Sequence, residues 1–261
     1  LWYRRDWAKP DVGEGRVILH FGAVDQSCTV YINGLRAYRH NGGYLPFEFD
    51  ATGFLSKDVN ELSLSVRDVS DTSYHSRGKQ KLKRGGIWYT PQSGIWQTVW
   101  AECIPKDCVR SLHITPDFDH ACVNVRADVV GESKAYALFD GQQYPLPASI
   151  PVPGFEPWSP ENPKLYDFSV ICGADRVESY FAMRKFSVEA DENGVKRLFL
   201  NGKPYFHNGL LDQGYWSDGM YTAPSDEALI FDIQTAKDMG FNMLRKHIKV
   251  EPLRWYYHCD R

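Results

Sequence analysis

Gly86-Ile-Trp-Tyr-Thr-Pro-Gln-Ser-Gly-Ile-Trp-Gln-Thr-Val-Trp-Ala-Glu102 is the stretch on which the reading of this chain turns. From Ile95 the side chains alternate. Ile95, Gln97, Val99 and Ala101 fall on one face, and Trp96, Thr98 and Trp100 on the other. That period of two is the mark of a β-strand with one face toward a core. The same period runs back toward the N-terminus. Val17, Leu19 and Phe21 alternate with Ile18 and His20, Phe47 and Phe49 flank Glu48, and Leu62, Leu64 and Val66 share a face opposite Ser63 and Ser65. Cys28-Thr-Val-Tyr-Ile32 meets Leu35-Arg-Ala-Tyr38 through Asn33-Gly34, a pair that tolerates the positive φ of a two-residue hairpin turn. Many short strands with glycine-rich turns predict a β-sandwich over residues 16–102.

A second β-unit follows Pro105. Strands are predicted over 109–115, 122–129, 134–139, 166–172 and 176–187, with a turn at Asp140-Gly141. Between 145 and 163 there are seven prolines, so that stretch is no central strand and reads as a surface crossing. After 187 the pattern changes. Leu198-Phe-Leu and Pro204-Tyr-Phe flank Asn201-Gly202 as a further hairpin, and 206–211 reads as a short strand. Ser225 caps a helix predicted over 226–239, with Asp226 and Glu227 in its first turn and Gly240 beyond its end. Phe241-Asn-Met-Leu-Arg245 reads as a strand, and Pro252 suits the first turn of another helix. Strand, helix, strand, helix is the opening of a βαβα fold, and two strands leave it incomplete.

The 261 residues suffice for one to three domains with a substantial core. A formal charge of −3 gives no field that would draw the chain to nucleic acid or an anionic membrane. No apolar run approaches the ~20 residues of a bilayer span. Six cysteines, at 28, 103, 108, 122, 172 and 259, include no Cys-x-x-Cys pair and read as packed thiols. A disulfide between Cys103 and Cys108 would close a small loop, a pairing the sequence alone does not show. The chain starts at Leu1 and stops within a helical pattern at Asp260-Arg261, so it reads as a fragment, and compartment is not legible.

Four segments together resemble glycoside hydrolase family 2. Residues 86–102 resemble the end of that family's sugar-binding jelly roll. Trp158-Ser-Pro-Glu-Asn-Pro-Lys-Leu-Tyr166 and Ser179-Tyr-Phe-Ala-Met-Arg184 resemble segments of its immunoglobulin-like domain, and Asn201-Gly-Lys-Pro204 the hairpin before its barrel. The resemblance implies a mainly β chain: a jelly-roll sugar-binding sandwich over 1–104, an immunoglobulin-like sandwich over 105–187, and the first βα units of a TIM (β/α)8 barrel over 188–261. The jelly roll would lack its first strands. The implied parent is a retaining glycosidase of terminal β-glycosides, a β-galactoside being the first expectation, in a periplasmic or secreted bacterial setting. Its paired glutamates, about 5–5.5 Å apart in retaining enzymes, belong to later barrel strands, so no catalytic residue is assigned here and the chain alone is expected to be inactive. The partner is a carbohydrate. No cofactor is called for, metal need is open, and a homo-oligomer is compatible with the family. The alternative is a non-catalytic carbohydrate-binding or adhesion protein, which would have no use for 206–261.

The candidate site residues lie at strand ends. Asp212 and Gln213 open the loop 212–224 on the face where such barrels do chemistry, and either can bond sugar hydroxyls. Tyr215 or Trp216 can stack on a ring face. Arg245 resembles a family arginine near the saccharide and can hold a carboxylate by a bidentate contact, with His247 and Lys249 expected on the same side by alternation. Asp71, with Asp68 second, resembles the aspartate that the jelly roll sends into the barrel, and turn capping is its plainer role. Trp88, Trp96 and Trp100 make either a sugar platform or sandwich core. The basic run Arg77, Lys79, Lys81, Lys83, Arg84 reads as a solvated loop.

Overall fold

The computed structural model describes all 261 residues, which divide into two compact units. The first joins Leu1–Ile104 with Leu210–Cys259, and the second comprises Pro105–Gly209 with Asp260–Arg261.

In the first unit, two antiparallel sheets enclose one core. One sheet runs in the order Trp2–Ala8, Val59–Arg67, Ser27–Ile32, Leu35–Asn41, the other Phe47–Asp50, Arg16–Phe21, Val99–Ile104. The alternating apolar sets meet between them: Val17, Leu19, Phe21, Cys28, Val30, Ile32, Phe47, Phe49, Leu64 and Val66 are buried in a single cluster. The turn at Asn33-Gly34 takes φ of 52° and 78°, the left-handed pair its residues permit. Burial pushes the Cys28 thiol up to about 11, and all six cysteines are free, Cys103 and Cys108 included.

The alternation at 95–101 breaks where the sequence reads it as continuous. Gly94–Ile95 pairs with Val24–Asp25 in a small separate sheet, and the edge strand resumes at Val99. Between them Trp96 leaves the sheet and is buried with Ala23 and Tyr221, its indole N–H donating to the Gly43 carbonyl at 2.7 Å. Trp100 remains 45% exposed, so Trp96 and Trp100 share no platform.

The same first unit carries the strand Gly209–Asp212, helix α1 (Asp226–Asp238), the strand Met243–Lys246 and helix α2 (Leu253–Asp260), except that Gly209 and Asp260 fall to the second unit. Both strands start two to three residues later than the sequence indicates, and they pair as a two-stranded sheet. Ser225 Oγ accepts the Ala228 N–H at 3.3 Å, so the helix starts at its predicted cap.

The second unit holds a three-stranded sheet, Cys108–Asp117, Cys122–Val130, Ala148–Pro151, and a four-stranded sheet, Gln142–Pro145, Ala135–Phe139, Tyr166–Cys172, Asp175–Phe181. Val123, Val125, Ala137, Ile150, Phe168, Val170 and Met183 pack between them. Two expectations need correction. The proline-rich stretch supplies a short edge strand, Ala148–Pro151, where the ring of Pro151 sits at the strand end and disturbs no central ladder. The strand read over 176–187 is two, Asp175–Phe181 and Phe186–Ala190, because the chain leaves one sheet at Ala182 and joins the hairpin Lys196–Leu200 and Lys203–Pro204. Three motifs meet at that departure. The Trp158 N–H donates to the Met183 carbonyl at 2.9 Å, Arg184 lies 4.6 Å over the Trp158 ring, and Asn201 Nδ2 donates to the Trp158 carbonyl at 2.9 Å.

Candidate functional site

The first unit brings three segments together: the loop after Gly209–Asp212, the turn after Met243–Lys246, and the loop 68–93 of the β-sandwich. Asp212 ends its strand by capping its own loop, its Oδ1 accepting the Gly214 N–H at 2.9 Å and its Oδ2 lying 2.7 Å from Lys246 Nζ. Lys246 also pairs with Glu251 at 2.9 Å and lies 4.4 Å over the Trp255 ring of α2. Its neighbour Arg245 therefore occupies the opposite face of the strand. There Arg245 is exposed and makes no ion pair.

Lys249 is the buried cation of the site, its side chain 1% exposed. It donates to the carbonyls of Gly214 and Tyr221, the latter at 3.1 Å, and pairs with Glu251 at 3.1 Å. The Tyr221 ring lies 4.8 Å and the Trp96 ring 5.3 Å from its ammonium. Burial lowers the Lys249 pKa, and the Glu251 carboxylate opposes that shift. Gly214 has φ of +53°, and a Cβ there would run into the Glu251 carboxylate. The close approach of loop to carboxylate thus requires glycine twice over.

The loop 213–224 is fastened to the β-sandwich along its length. Tyr215 stacks on Tyr89 with centroids 4.2 Å apart and donates its hydroxyl to the Thr90 carbonyl. Gln92 Oε1 accepts the Tyr221 N–H at 3.1 Å, the Tyr221 hydroxyl donates to the Arg77 carbonyl at 3.1 Å, and it meets the Tyr44 hydroxyl at 2.9 Å. Thr222 Oγ1 donates to the Trp96 carbonyl at 2.7 Å. Burial raises the pKa of all three tyrosines, Tyr44 and Tyr215 to about 12 and Tyr221 further. Behind them Gln80 donates to Asp25 at 3.4 Å and accepts the Gln92 N–H at 2.7 Å. Asp25 is 4% exposed, and burial, helped by nearby Asp68, pushes its carboxyl up to about 7.

The sequence-derived residues divide. Asp212, Gln213 and His247 come together at adjacent strand ends, where the His247 N–H donates to the Asp212 carbonyl at 2.8 Å. Gln213 Oε1 and His247 Nδ1 are buried and unpartnered, free to bond a ligand. The Asp212 carboxylate is already bound by Lys246. Trp216 closes a tight turn with Met220, and Tyr215, the other stacking candidate, spends its face on Tyr89. Asp71 accepts the Leu82 N–H at 3.2 Å, while Asp68 caps its own turn through the Ser70 N–H at 2.7 Å and takes the Ser93 hydroxyl at 2.5 Å. Trp88 carries Lys81 4.2 Å above its ring. Sequence reasoning missed Lys246, Glu251, Tyr221, Gln92 and Asp25. Only Lys246 and Lys249, five and two residues before Glu251, hint at the cluster, as opposite charges close together beside Pro252.

Residues 1–100 match the family model described as glycosyl hydrolases family 2, sugar binding domain. Among curated proteins the chain is 25% identical to a β-galactosidase of Streptococcus thermophilus, over 94% of this chain and 25% of that protein. It is 27% identical to a putative β-glucuronidase of Formosa agariphila, over 99% of this chain and 33% of that protein. The chain thus spans a quarter to a third of these relatives' length. Among solved structures, the Bacteroides uniformis β-glucuronidase superposes with a TM-score of 0.78 at 26% identity, over 99% of this chain and 34% of that one. The Ruminococcus gnavus β-glucuronidase shares the fold, with a TM-score of 0.83 at 20% identity over 99% of this chain and 48% of that one.

Proposed function

We propose that this chain, whose residues 1–100 are a sugar-binding domain of glycosyl hydrolase family 2, belongs to a retaining enzyme that hydrolyses terminal β-glycosides. In this reading residues 1–104 are the jelly roll, 105–187 an immunoglobulin-like sandwich, and 188–261 the first βα units of a (β/α)8 barrel. The observation that carries it is the strand–helix–strand–helix run of Gly209–Asp212, α1, Met243–Lys246 and α2, whose first loop is bonded to the sugar-binding domain through Tyr215, Tyr221 and Thr222. A barrel built on that start places Gln213, Arg245 and His247 at the strand C-termini, where substrate binds. Gln213 and His247 supply unmet polar atoms for sugar hydroxyls. Arg245, free of structural partners, orients the nucleophilic carboxylate contributed by a later strand. The reaction is double displacement, one glutamate attacking the anomeric carbon while the other protonates the leaving oxygen and then activates water.

β-Galactosides are the first substrate class. β-Glucuronides are the second, favoured by the 26% identity with the Bacteroides uniformis enzyme and the superposition over 99% of this chain. Chromogenic β-galactoside and β-glucuronide are offered to the protein carrying this chain and the rest of its barrel, and the anomer first released is read by proton NMR. Hydrolysis with retention supports the reading. Inversion overturns the mechanism, and carbohydrate binding without turnover points instead to a binding or adhesion protein.

A further inference from the structure

A second cleft, of about 540 Å³, opens in the first unit between 75–78 of the jelly-roll loop and 248–250. Tyr44, His75, Arg77, Gly78, Ile248 and Lys249 line it. Three observations mark it as more than a packing gap. Both ring nitrogens of His75 and the Nε of Arg77 are buried without a hydrogen-bond partner, an arrangement that a folded chain tolerates mainly where a ligand or water completes it. Ile248 has φ of +63°, a conformation that costs a β-branched residue and that clusters at binding and catalytic sites. The backbone across the cleft fits it closely: Gly78, with φ of +62°, has no room for a Cβ, which would stand 2.5 Å from the Tyr221 hydroxyl and 3.4 Å from the Ile248 carbonyl.

The side chains that line this cleft include bases and no acid. His75, Arg77 and Lys249 face it. Two carboxylates lie behind that lining: Asp68 is the counter-ion of His75, 4.0 Å from its Nε2, and Glu251 is shared by Lys246 and Lys249. Asp25 takes up a proton near neutrality because it is buried. Lys249 Nζ is itself bound to Gly214, Tyr221 and Glu251, so direct bonds to a ligand fall to Arg77 Nε and His75.

We propose that this cleft is a subsite for an anionic sugar substituent, a uronate carboxylate or a sulfate ester, and so biases the enzyme toward acidic glycosides. The inference rests on the glycosidase reading above. The test compares kcat/KM for matched pairs on the protein carrying this chain with its complete barrel: β-glucuronide against β-glucoside, and 6-sulfated against unsulfated β-galactoside. At least one acidic member is expected to be preferred about tenfold or more, the scale of one charge-assisted hydrogen bond. Which pair shows the preference distinguishes carboxylate from sulfate. Arg77→Gln and His75→Gln are each expected to cut the ratio severalfold, and Arg77→Lys to keep part of it. Melting temperatures identify any variant that fails to fold. Salt titration of the unaltered enzyme gives a reading free of mutation, since the preference must fall as ionic strength rises. Equal or better turnover of the neutral members overturns the anionic subsite and leaves the glycosidase reading standing. A preference that neither variant nor salt moves also overturns it. Turnover of no β-glycoside overturns both.

Discussion

Asp25 is a carboxyl group held away from water beside a second acid, and its titration gives a direct test of the buried seam. Folded, it titrates near 7, against 3.8 for an ordinary aspartate. Between those values the native state binds more protons than the unfolded state, so stability must fall as pH rises from about 4 to about 7 and level off above. Asp25→Asn keeps the shape and an oxygen for Gln80 but removes the charge. It is expected to be more stable than the parent at pH 8, by roughly 1–3 kcal/mol, and no more stable at pH 4. Urea unfolding at a series of pH values checks this, and equal slopes in both proteins would remove Asp25 from the account. Arg245 gives the complementary case. It is exposed and unpaired, so Arg245→Ala should leave the melting temperature unchanged. In the proposed glycosidase, tested as a protein carrying this chain with its complete barrel, the same change should lower kcat/KM more than about tenfold, the loss of one charge-assisted contact in the transition state. A melting temperature several degrees lower with near-normal kinetics would make Arg245 structural. At this scale alternation placed Arg245 on a strand face, but a period of two says nothing about partners. Lys246, one residue on, took the role of pairing with Asp212 because it faces α2 and Trp255.

At the scale of elements, the loop 213–222 is ordered by contacts to other segments rather than by its own backbone pattern. Lys249 is the bond that holds it from below. Lys249→Ala leaves the Gly214 and Tyr221 carbonyls without their donor and Glu251 with Lys246 alone. Breaking a buried ion pair costs about 3–5 kcal/mol, here felt first in the loop. Amide exchange over 213–222 should speed up by orders of magnitude in this variant, while Val30 and Leu64 in the sandwich core keep their protection. Uniform loss of protection would mean that Lys249 supports the whole unit. Even in the unaltered chain, 206–261 should exchange faster than 86–102. Gly209–Asp212 and Met243–Lys246 form only a two-stranded sheet with open edges. Helices and strands here were legible where local chemistry decides them: the Ser225 cap, the Asn33-Gly34 turn, the apolar alternation of Ser27–Ile32. They were misread where a distant contact overrides the period. Trp96 leaves its strand because Ala23, Gly43 and Tyr221 offer a buried pocket with an acceptor for its N–H, and nothing within 95–101 encodes that. The break at Ala182 arises in the same way, from Trp158 binding Met183.

For the whole molecule, motif order carried more than any single pattern. Trp158, Arg184 and Asn201 lie far apart in sequence, yet they converge on one point, which is why their order was informative. Catalysis is a different matter, because it needs two carboxyl groups about 5–5.5 Å apart with separate environments, one ionised and one protonated. The glutamates near the strand ends do not offer that. Glu251 is 2% exposed and bound by two lysines, which hold it as a structural counter-ion. Glu227 lies in the first turn of α1, where the helix N-terminus and Ser225 lower its pKa, the wrong direction for a general acid. The isolated 261-residue chain is therefore expected to hydrolyse no chromogenic β-glycoside above a buffer blank, even at micromolar concentration over hours. On the proposed reading, a longer protein that carries this chain with further barrel strands does so readily. Turnover by the isolated chain that survives repurification and is abolished by Glu251→Gln would place the chemistry in this chain and overturn the assignment of both catalytic carboxylates to later strands.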